Sequence, residues 1–199
     1  MTKWIELEDT LRLVLKKGRF EHTLGVRYTA AALAMRYDCG IEQAQLAGIL
    51  HDCAKGYSGE ELLKMAKKVG ITVSLSEEKA PHLLHAKVGA YLAEHTYGVK
   101  DKEVLDAIRF HTTGKANMSL LEKIIFVSDY IEPNRKMLDG LPKCRCLAFE
   151  DMDLAVYEIL KNTLEYLQSK SQAEEIDPTT QEAFLYYQEK CLSEHKSGM

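Results

Sequence analysis

A chain of 199 residues, 46% hydrophobic and 28% charged, has the composition of an ordinary globular protein and is long enough to bury one core without disulfide staples. Its 26 lysines and arginines against 30 acidic residues give a net charge of −4, which argues against a general nucleic-acid or membrane-surface binder and leaves room only for a local basic pocket. No apolar run approaches a membrane span, and five cysteines without framework spacing, with no signal peptide, point to a reducing cytoplasm.

The apolar spacing has helical period nearly throughout. It predicts a first helix over about 3–16, with Trp4, Leu7, Leu11 and Val14/Leu15 on one face, and an alanine-rich second over 19–37. A third covers 41–54 and stops at Gly56. Ser58 with Glu61 is a capping-box signature for a fourth, closed by Gly70. Ile71, Val73 and Leu75 alternate as a strand would, too briefly to build a sheet. Helices follow over 82–97 and 101–112. Ser119 with Glu122 opens another that must stop before Pro133. The last two cover 149–169 and 179–192, the latter opened by Thr179 and Glu182. Glycine and proline are expected between the helices, and no repeat interrupts the pattern. The expectation is an all-α, single-domain helical bundle over residues 1–199, with 172–199 a C-terminal helical extension.

The chemistry gathers around few positions. His51 and Asp52 adjoin at the C-terminal end of the apolar stretch Ile41 to Leu50. An ionised aspartate there is costly to bury without a compensating cation, and the negative end of the helix dipole adds to the cost. A bound divalent metal resolves both, whereas a solvent-exposed pair is the plainer reading of the dipeptide alone. His22 lies in the preceding helix and Asp129 late in Ile124-Ile-Phe-Val-Ser-Asp129-Tyr, where the sequence is otherwise apolar. Bundle interiors bring such ligands together. Two imidazoles and two carboxylates, with no thiolate, suit Fe, Mn, Co, Ni or Zn better than Mg or Ca. Cys144-Arg145-Cys146 lacks the second thiol pair that a structural zinc would need.

The order His22, His51-Asp52, Asp129 resembles the H…HD…D signature of the HD superfamily. Longer stretches narrow the resemblance to its YqeK-like family: Arg19-Phe-Glu-His22-Thr-Leu-Gly-Val, Gly48-Ile-Leu-His51-Asp52-Cys-Ala-Lys55, Leu84-His85-Ala-Lys-Val-Gly-Ala and Asp129-Tyr-Ile-Glu-Pro-Asn-Arg135. The likeness runs on to Ile176-Asp-Pro-Thr-Thr-Gln-Glu-Ala. Members are bacterial symmetrical diadenosine tetraphosphate hydrolases, so the resemblance implies cleavage of that dinucleotide into two ADP by a water that the metal activates. It implies an iron-type metal on His22, His51, Asp52 and Asp129, with Mn, Co, Ni or Zn as alternatives. It also implies catalytic roles for Asp52, His85 and His111, and a nucleotide site drawn from Arg19, His22, Asp52, Cys53, Ala54, Lys55, His85, His111, Asp129 and Arg135. The partners it implies are a dinucleoside polyphosphate and ADP- or GDP-type products. Cys53 stands where a β-branched aliphatic is common and Ala86 where glycine is common, and Cys53 raises an expectation of oxidative sensitivity.

Lys55 and Arg135 fit this chemistry on their own terms, because a polyphosphate needs cations and both lie just past ligand-bearing helices. His85 and His111 suit a bridging or leaving oxygen or a second metal, and, without the family, a structural role fits equally. His82 and His95 read as structural or surface residues, and His195 as part of a fraying terminus. Lys143 and Arg145 are surface or substrate-facing, residues 136–150 carry no assigned role, and the oligomeric state, a homodimer included, stays open. An HD-type nucleotidase or triphosphohydrolase of mononucleotides is the alternative, because the metal site serves whatever phosphate is presented. A non-catalytic nucleotide-sensing module would be expected to have lost ligands. A cyclic-dinucleotide phosphodiesterase of the Gly-Tyr-Pro type lacks its tripeptide here.

Overall fold

The computed structural model describes residues 2–169 and 176–197. Among them are eleven α-helices and no strand: α1 Thr2–Val14, α2 Lys17–Arg36, α3 Ile41–Leu50, α4 Gly59–Val69, α5 Leu75–Lys79, α6 His85–His95, α7 Lys102–Phe110, α8 Leu120–Ile131, α9 Leu141–Glu150, α10 Met152–Ser169 and α11 Pro178–Ser197. No helix among the described residues is long and apolar enough to cross a membrane.

Helix α2 packs against α3 and α8, α7 packs against α3, α6 and α8, and α10 joins α8 to α9 and α11. One hydrophobic cluster spans this arrangement from Leu11 to Tyr187 and includes the fully buried Leu33, Ile49, Leu50, Ile108, Ile124 and Ile125. Burial of each such side chain is worth about 1.5–3 kcal/mol. A smaller cluster of Ala54, Leu62, Ala66, Leu84 and Val88 sits under α4. Helix α11 contributes Ala183 and Tyr187 to the main cluster, and the Met118 N–H donates to the Tyr187 hydroxyl at 3.0 Å. Helix 1 is tied on by Arg27, which pairs with Glu8, donates to Gln45 and lies over the Trp4 ring.

Several boundaries differ from the sequence expectation. The third helix ends at Leu50, and residues 51–56 run as tight turns rather than continuing to 54. The stretch read as 82–97 begins with a 3₁₀ turn, Pro81–Leu84, before α6. Ser74 and Glu77 form a full capping box for α5, hidden behind the strand-like alternation of its neighbours. The segment read as 149–169 breaks at Asp151, whose carboxylate accepts from the Leu154 N–H, and α9 fills part of the stretch left without a role. Helix α11 is capped by Asp177, which accepts from the Thr179 N–H at 2.9 Å, and not by Thr179; Pro178 takes the first helical position, where its missing N–H costs nothing. Residues 172–175 and the side chain of His195 lie outside the described residues.

Two of the glycines inside helices mark close approaches of other elements. A Cβ at Gly48 would lie 2.9 Å from Arg27 Cα, so the α2 and α3 backbones come close there only because no side chain stands between them, and one at Gly25 would strike the Glu132 carboxylate.

Asp153 joins α8, α10 and α11 by accepting from Lys123 at 2.8 Å and pairing with Lys190 at 2.7 Å. Burial works to raise its carboxyl, and the two lysines outweigh burial and hold it below its ordinary value. Because the folded value is depressed, this contribution is present above an unfolded value of about 3.9 and is lost as pH falls through the folded one. Asp153→Asn should therefore destabilise by about 1 kcal/mol at neutral pH. The gap should close below about pH 4, as read by denaturant melts at both pH values. A gap independent of pH would show that the carboxylate charge contributes nothing.

Candidate metal centre and phosphate cavity

The ends of four helices and one interior turn converge on one point. His22 comes from α2, His51 caps α3, His85 begins α6, His111 caps α7, and Asp129 lies in the last turns of α8. Beyond His51 the backbone turns tightly, with the Lys55 N–H donating to Asp52 O at 2.9 Å, which keeps Asp52 and Lys55 beside the helix end.

The hydrogen-bond network orients all four imidazoles the same way. Nδ1–H donates to Gly48 O at 2.7 Å in His51, to Ile108 O at 2.7 Å in His111, to His82 O at 2.5 Å in His85, and to Glu132 Oε1 at 3.0 Å in His22. A nitrogen that donates fixes the tautomer, so each Nε2 presents a lone pair to the centre.

The four lone pairs fall into two kinds. Nε2 of His22 and of His51 is buried without a hydrogen-bond partner. They lie 2.9 Å from Asp129 Oδ1 and 3.4 Å from Asp52 Oδ2 respectively. A lone pair facing a carboxylate oxygen in a buried site is repulsive unless a cation lies between them. Nε2 of His85 and of His111, 3.2 Å apart, are instead within 3.1 and 3.0 Å of the Thr112 hydroxyl, and Lys55 Nζ lies 3.1 Å from His85 Nε2. The pair on α2 and α3 thus has the character of metal ligands, while the pair on α6 and α7 is already served by donors. Ligand atoms of His22, His51 and Asp129, and of His51, Asp52 and His111, each lie within 4.8 Å of one another.

The charges follow the geometry. Burial alone would raise the Asp52 carboxyl, but His51, His111 and His85 hold it well below the carboxylate range. Asp129 is likewise held low against its burial, first by His22. Burial works to lower the His22 imidazole, and Asp129, Glu132 and Asp52 outweigh it. Burial pushes the His85 imidazole down to about 4 despite Asp52, so it stays neutral near pH 7.

A cavity of about 270 Å³ opens over Asp52, His85, His111 and Asp129, and Arg19, Lys55 and Arg135 also line it. Arg19 donates to Asp52 Oδ2 at 2.7 Å, and Arg135 lies 3.7 Å from Asp129 Oδ1. The structure therefore brings together Arg19, His22, His51, Asp52, Lys55, His85, His111, Asp129 and Arg135. It does not bring in the side chains of Cys53 and Ala54, which point into the core. Cys53 Sγ donates to Gly89 O at 3.4 Å, and burial pushes its thiol up to about 12. The oxidative sensitivity expected of it is thus opposed by an enclosed, protonated sulfur.

Three residues of the site escaped sequence reasoning. His82 and Thr112 line the cavity. Glu132, 1% exposed, accepts from His22 and from the Asn134 N–H, the arrangement that orients an imidazole toward a metal. Its signal was present, three residues after Asp129. Arg145 is half-buried and lines neither this cavity nor the one between α8 and α10: it donates to Ile131 O and Glu132 O at 2.9 Å and caps α8 where that helix delivers Asp129. The thiols of Cys144, buried, and Cys146, exposed, do not converge.

Comparison with known proteins adds relatives to this geometry. The HD-domain family matches residues 19–134. The chain is 41% identical over 173 residues to the symmetrical bis(5'-nucleosyl)-tetraphosphatase of Bacillus subtilis, covering 87% of this chain and 89% of that protein. It is 43% identical over 162 residues to the protein of the same name from Halalkalibacterium halodurans, covering 79% and 83%. A crystal structure of a predicted HD superfamily hydrolase involved in NAD metabolism from Clostridium acetobutylicum superposes with a TM-score of 0.90 at 37% identity, over 94% of this chain and 97% of that one.

Proposed function

The chain belongs to the HD-domain family and, within it, to the family of the symmetrical bis(5'-nucleosyl)-tetraphosphatases, and from that premise we propose that it hydrolyses diadenosine tetraphosphate at the middle of its phosphate chain, giving two ADP. The observation that carries this is the cation-lined cavity directly over the His/Asp cluster. Arg19, Lys55 and Arg135 face Asp52 and Asp129, so a divalent ion on the cluster would bring the local charge to +3. A chain of phosphates supplies the matching negative charge.

The residues fit a metal because two buried imidazole nitrogens face carboxylates and lack partners. His22, His51, Asp52 and Asp129 would hold a divalent transition metal, for which iron is our choice among Fe, Mn, Co, Ni and Zn on the mixed nitrogen and oxygen set. When bound, it supplies an activated water at neutral pH and a Lewis acid toward a phosphoryl oxygen. The protein's own groups do the rest. Arg19, Lys55 and Arg135 bind and orient the phosphates. Thr112 offers a hydroxyl at 3.0–3.1 Å from two imidazole nitrogens, and the neutral His85 accepts a hydrogen bond at Nε2 beside it. ADP leaves with its charge spread over a terminal phosphate that these cations meet. The HD unit, in this reading, takes in the whole chain, because α11 completes its core. Five free thiols suit a reducing cytoplasm.

Chromatography of an early time point, with metal-reconstituted protein, tests the proposal. ADP as the sole nucleotide product is expected. AMP and ATP in equal amounts would refute symmetrical cleavage. Turnover of mononucleotides with none of any dinucleoside polyphosphate would hand the case to an HD-type nucleotidase.

A further inference from the structure

The stretch Ile176-Asp-Pro-Thr-Thr-Gln-Glu-Ala supplies no ligand to the metal centre, yet Ile176, Asp177, Thr180 and Ala183 are all buried. The Asp177 carboxylate is crowded with donors. Its Oδ2 accepts from Ser76 Oγ at 2.7 Å and from Ser74 Oγ at 3.3 Å, 101 and 103 positions away in the chain. Its Oδ1 accepts from the Thr179 N–H at 2.9 Å. Burial works to raise this carboxyl, and Ser76, Thr179 and Ser74 outweigh burial and hold it below its ordinary value, so it is ionised at neutral pH. Hydrogen bonds to an ionised acceptor are the strong ones.

The segment that Asp177 grips needs such a hold. Helix α5 has five residues, too few to be stable on their own, and it turns its polar side inward. Ser76 and Glu77 are buried while Leu75 is 79% exposed, so hydrogen bonds rather than apolar burial fix this helix. From Ser76 they lead step by step to the phosphate cavity. The Ala80 N–H donates to Ser76 O at 2.8 Å, the Leu83 N–H donates to Ala80 O at 2.9 Å, and His82 O accepts from His85 Nδ1–H. His82, Leu83 and His85 all line that cavity. A second route leaves from Ser74, whose N–H donates to Glu77 Oε2 at 2.8 Å. The same oxygen accepts from Lys87 Nζ at 2.8 Å, in the first turn of α6 just after His85.

We propose that Asp177 is a positioning residue for phosphate binding: its carboxylate latches the start of α11 to Ser74 and Ser76 and so holds residues 74–85 in place as one wall of the cavity. Asp177 does not line the cavity itself and acts only through that wall. His22, His51, Asp52 and Asp129 stand on α2, α8 and the end of α3, so a slack wall leaves the metal in place and loosens the grip on phosphate. The proposal rests on the functional reading above only in taking this cavity as the phosphate site. Ser74 and Ser76 fall within residues 19–134, the span matched by the HD-domain family, and Asp177 falls outside it. The C-terminal part of the chain thus supports a site that the shared helices build.

Calorimetry with inorganic pyrophosphate on the metal-loaded protein, beside steady-state kinetics with diadenosine tetraphosphate, tests this. Asp177→Ala removes the latch together with the α11 cap, whereas Ser76→Ala removes the shortest bond of the latch and leaves Asp177 on Thr179. Asp153→Asn is the control, because it loosens α11 at Lys190 without touching residues 74–85. Asp177→Ala is expected to weaken pyrophosphate binding about tenfold and Ser76→Ala about threefold, with KM raised by the same factors. Both should keep the metal and a kcat within about twofold of wild type, as expected when ground state and transition state lose the same contact. Asp153→Asn should change pyrophosphate affinity by less than about twofold. Affinity unchanged in both latch variants would overturn the proposal. So would loss of metal in Ser76→Ala, or an equal loss of affinity in Asp153→Asn, which would mark a general loosening of α11. Should Asp177→Ala fail to fold, Ser76→Ala decides alone. The expected split in affinity, beside wild-type protein that turns over no dinucleoside polyphosphate, keeps the latch and removes the reaction. Wild-type turnover with pyrophosphate affinity intact in both latch variants keeps the reaction and removes the latch.

Discussion

His51→Ala and Asp129→Ala are each expected to yield folded protein that retains no stoichiometric metal and loses on the order of a thousandfold in hydrolytic rate. His51 is fully buried, and its one hydrogen bond, to Gly48 O, orients the ring rather than holding the bundle together. Asp129 keeps a quarter of its side chain toward the cavity, at 23% exposure, so its removal leaves no hole in the core. What both share is an oxygen or nitrogen aimed at the same point. Glu132→Gln separates ligand from support: it keeps an acceptor for His22 Nδ1–H but removes the charge, so metal affinity should fall about 10- to 100-fold without being abolished. Metal analysis by mass spectrometry after dialysis, with circular dichroism as the folding control, reads all three. Full occupancy with wild-type turnover in either alanine variant would sink the assignment of these ligands.

The sequence makes this centre legible because its chemistry offends the local pattern. Asp129 stands in an apolar helix, and His51-Asp52 at the end of another, so each asks for a compensating charge before any fold is known. Residues that obey the local pattern are invisible in the same way. Thr112 reads as a turn residue, Glu132 as the last polar residue before a proline, and Arg145 as one more surface cation, because a hydrogen bond to a residue distant in sequence leaves no mark on periodicity. Helix α10 shows the limit most clearly. Its Ile159, Asn162, Thr163 and Tyr166 face fits any amphipathic helix, and only the placement of α8 and the α9 turn opposite it makes a cavity. Boundaries were lost for a related reason. Ser74 and Glu77 cap α5 as plainly as Ser58 and Glu61 cap α4, but Ile71, Val73 and Leu75 alternate across the same residues and suggest the wrong period.

Lys55→Ala and Arg135→Ala are expected to do the opposite of the ligand variants, keeping the metal and losing about 10- to 100-fold in kcat/KM, since a charge-assisted hydrogen bond is worth about 1.5–3 kcal/mol. Neither cation touches the unpartnered nitrogens of His22 and His51: Lys55 Nζ is placed on His85, and Arg135 lies 3.7 Å from Asp129 Oδ1, beyond direct hydrogen-bond distance. Burial works to lower the Lys55 ammonium, Asp52 opposes this, and the nearby charges of Arg19 and Arg135 add to the lowering. Three cations crowded in this way favour an incoming anion, and phosphate relieves their mutual repulsion as it binds. Arg135→Lys should recover only part of the loss, because a point charge cannot take two phosphate oxygens as a guanidinium fork does. Lys55→Arg should do no better, because the longer planar group does not fit where the ammonium meets His85. Unchanged kinetics in both alanine variants would show that the phosphates bind elsewhere, and loss of metal in either would show that these cations hold the cluster together rather than serve the substrate.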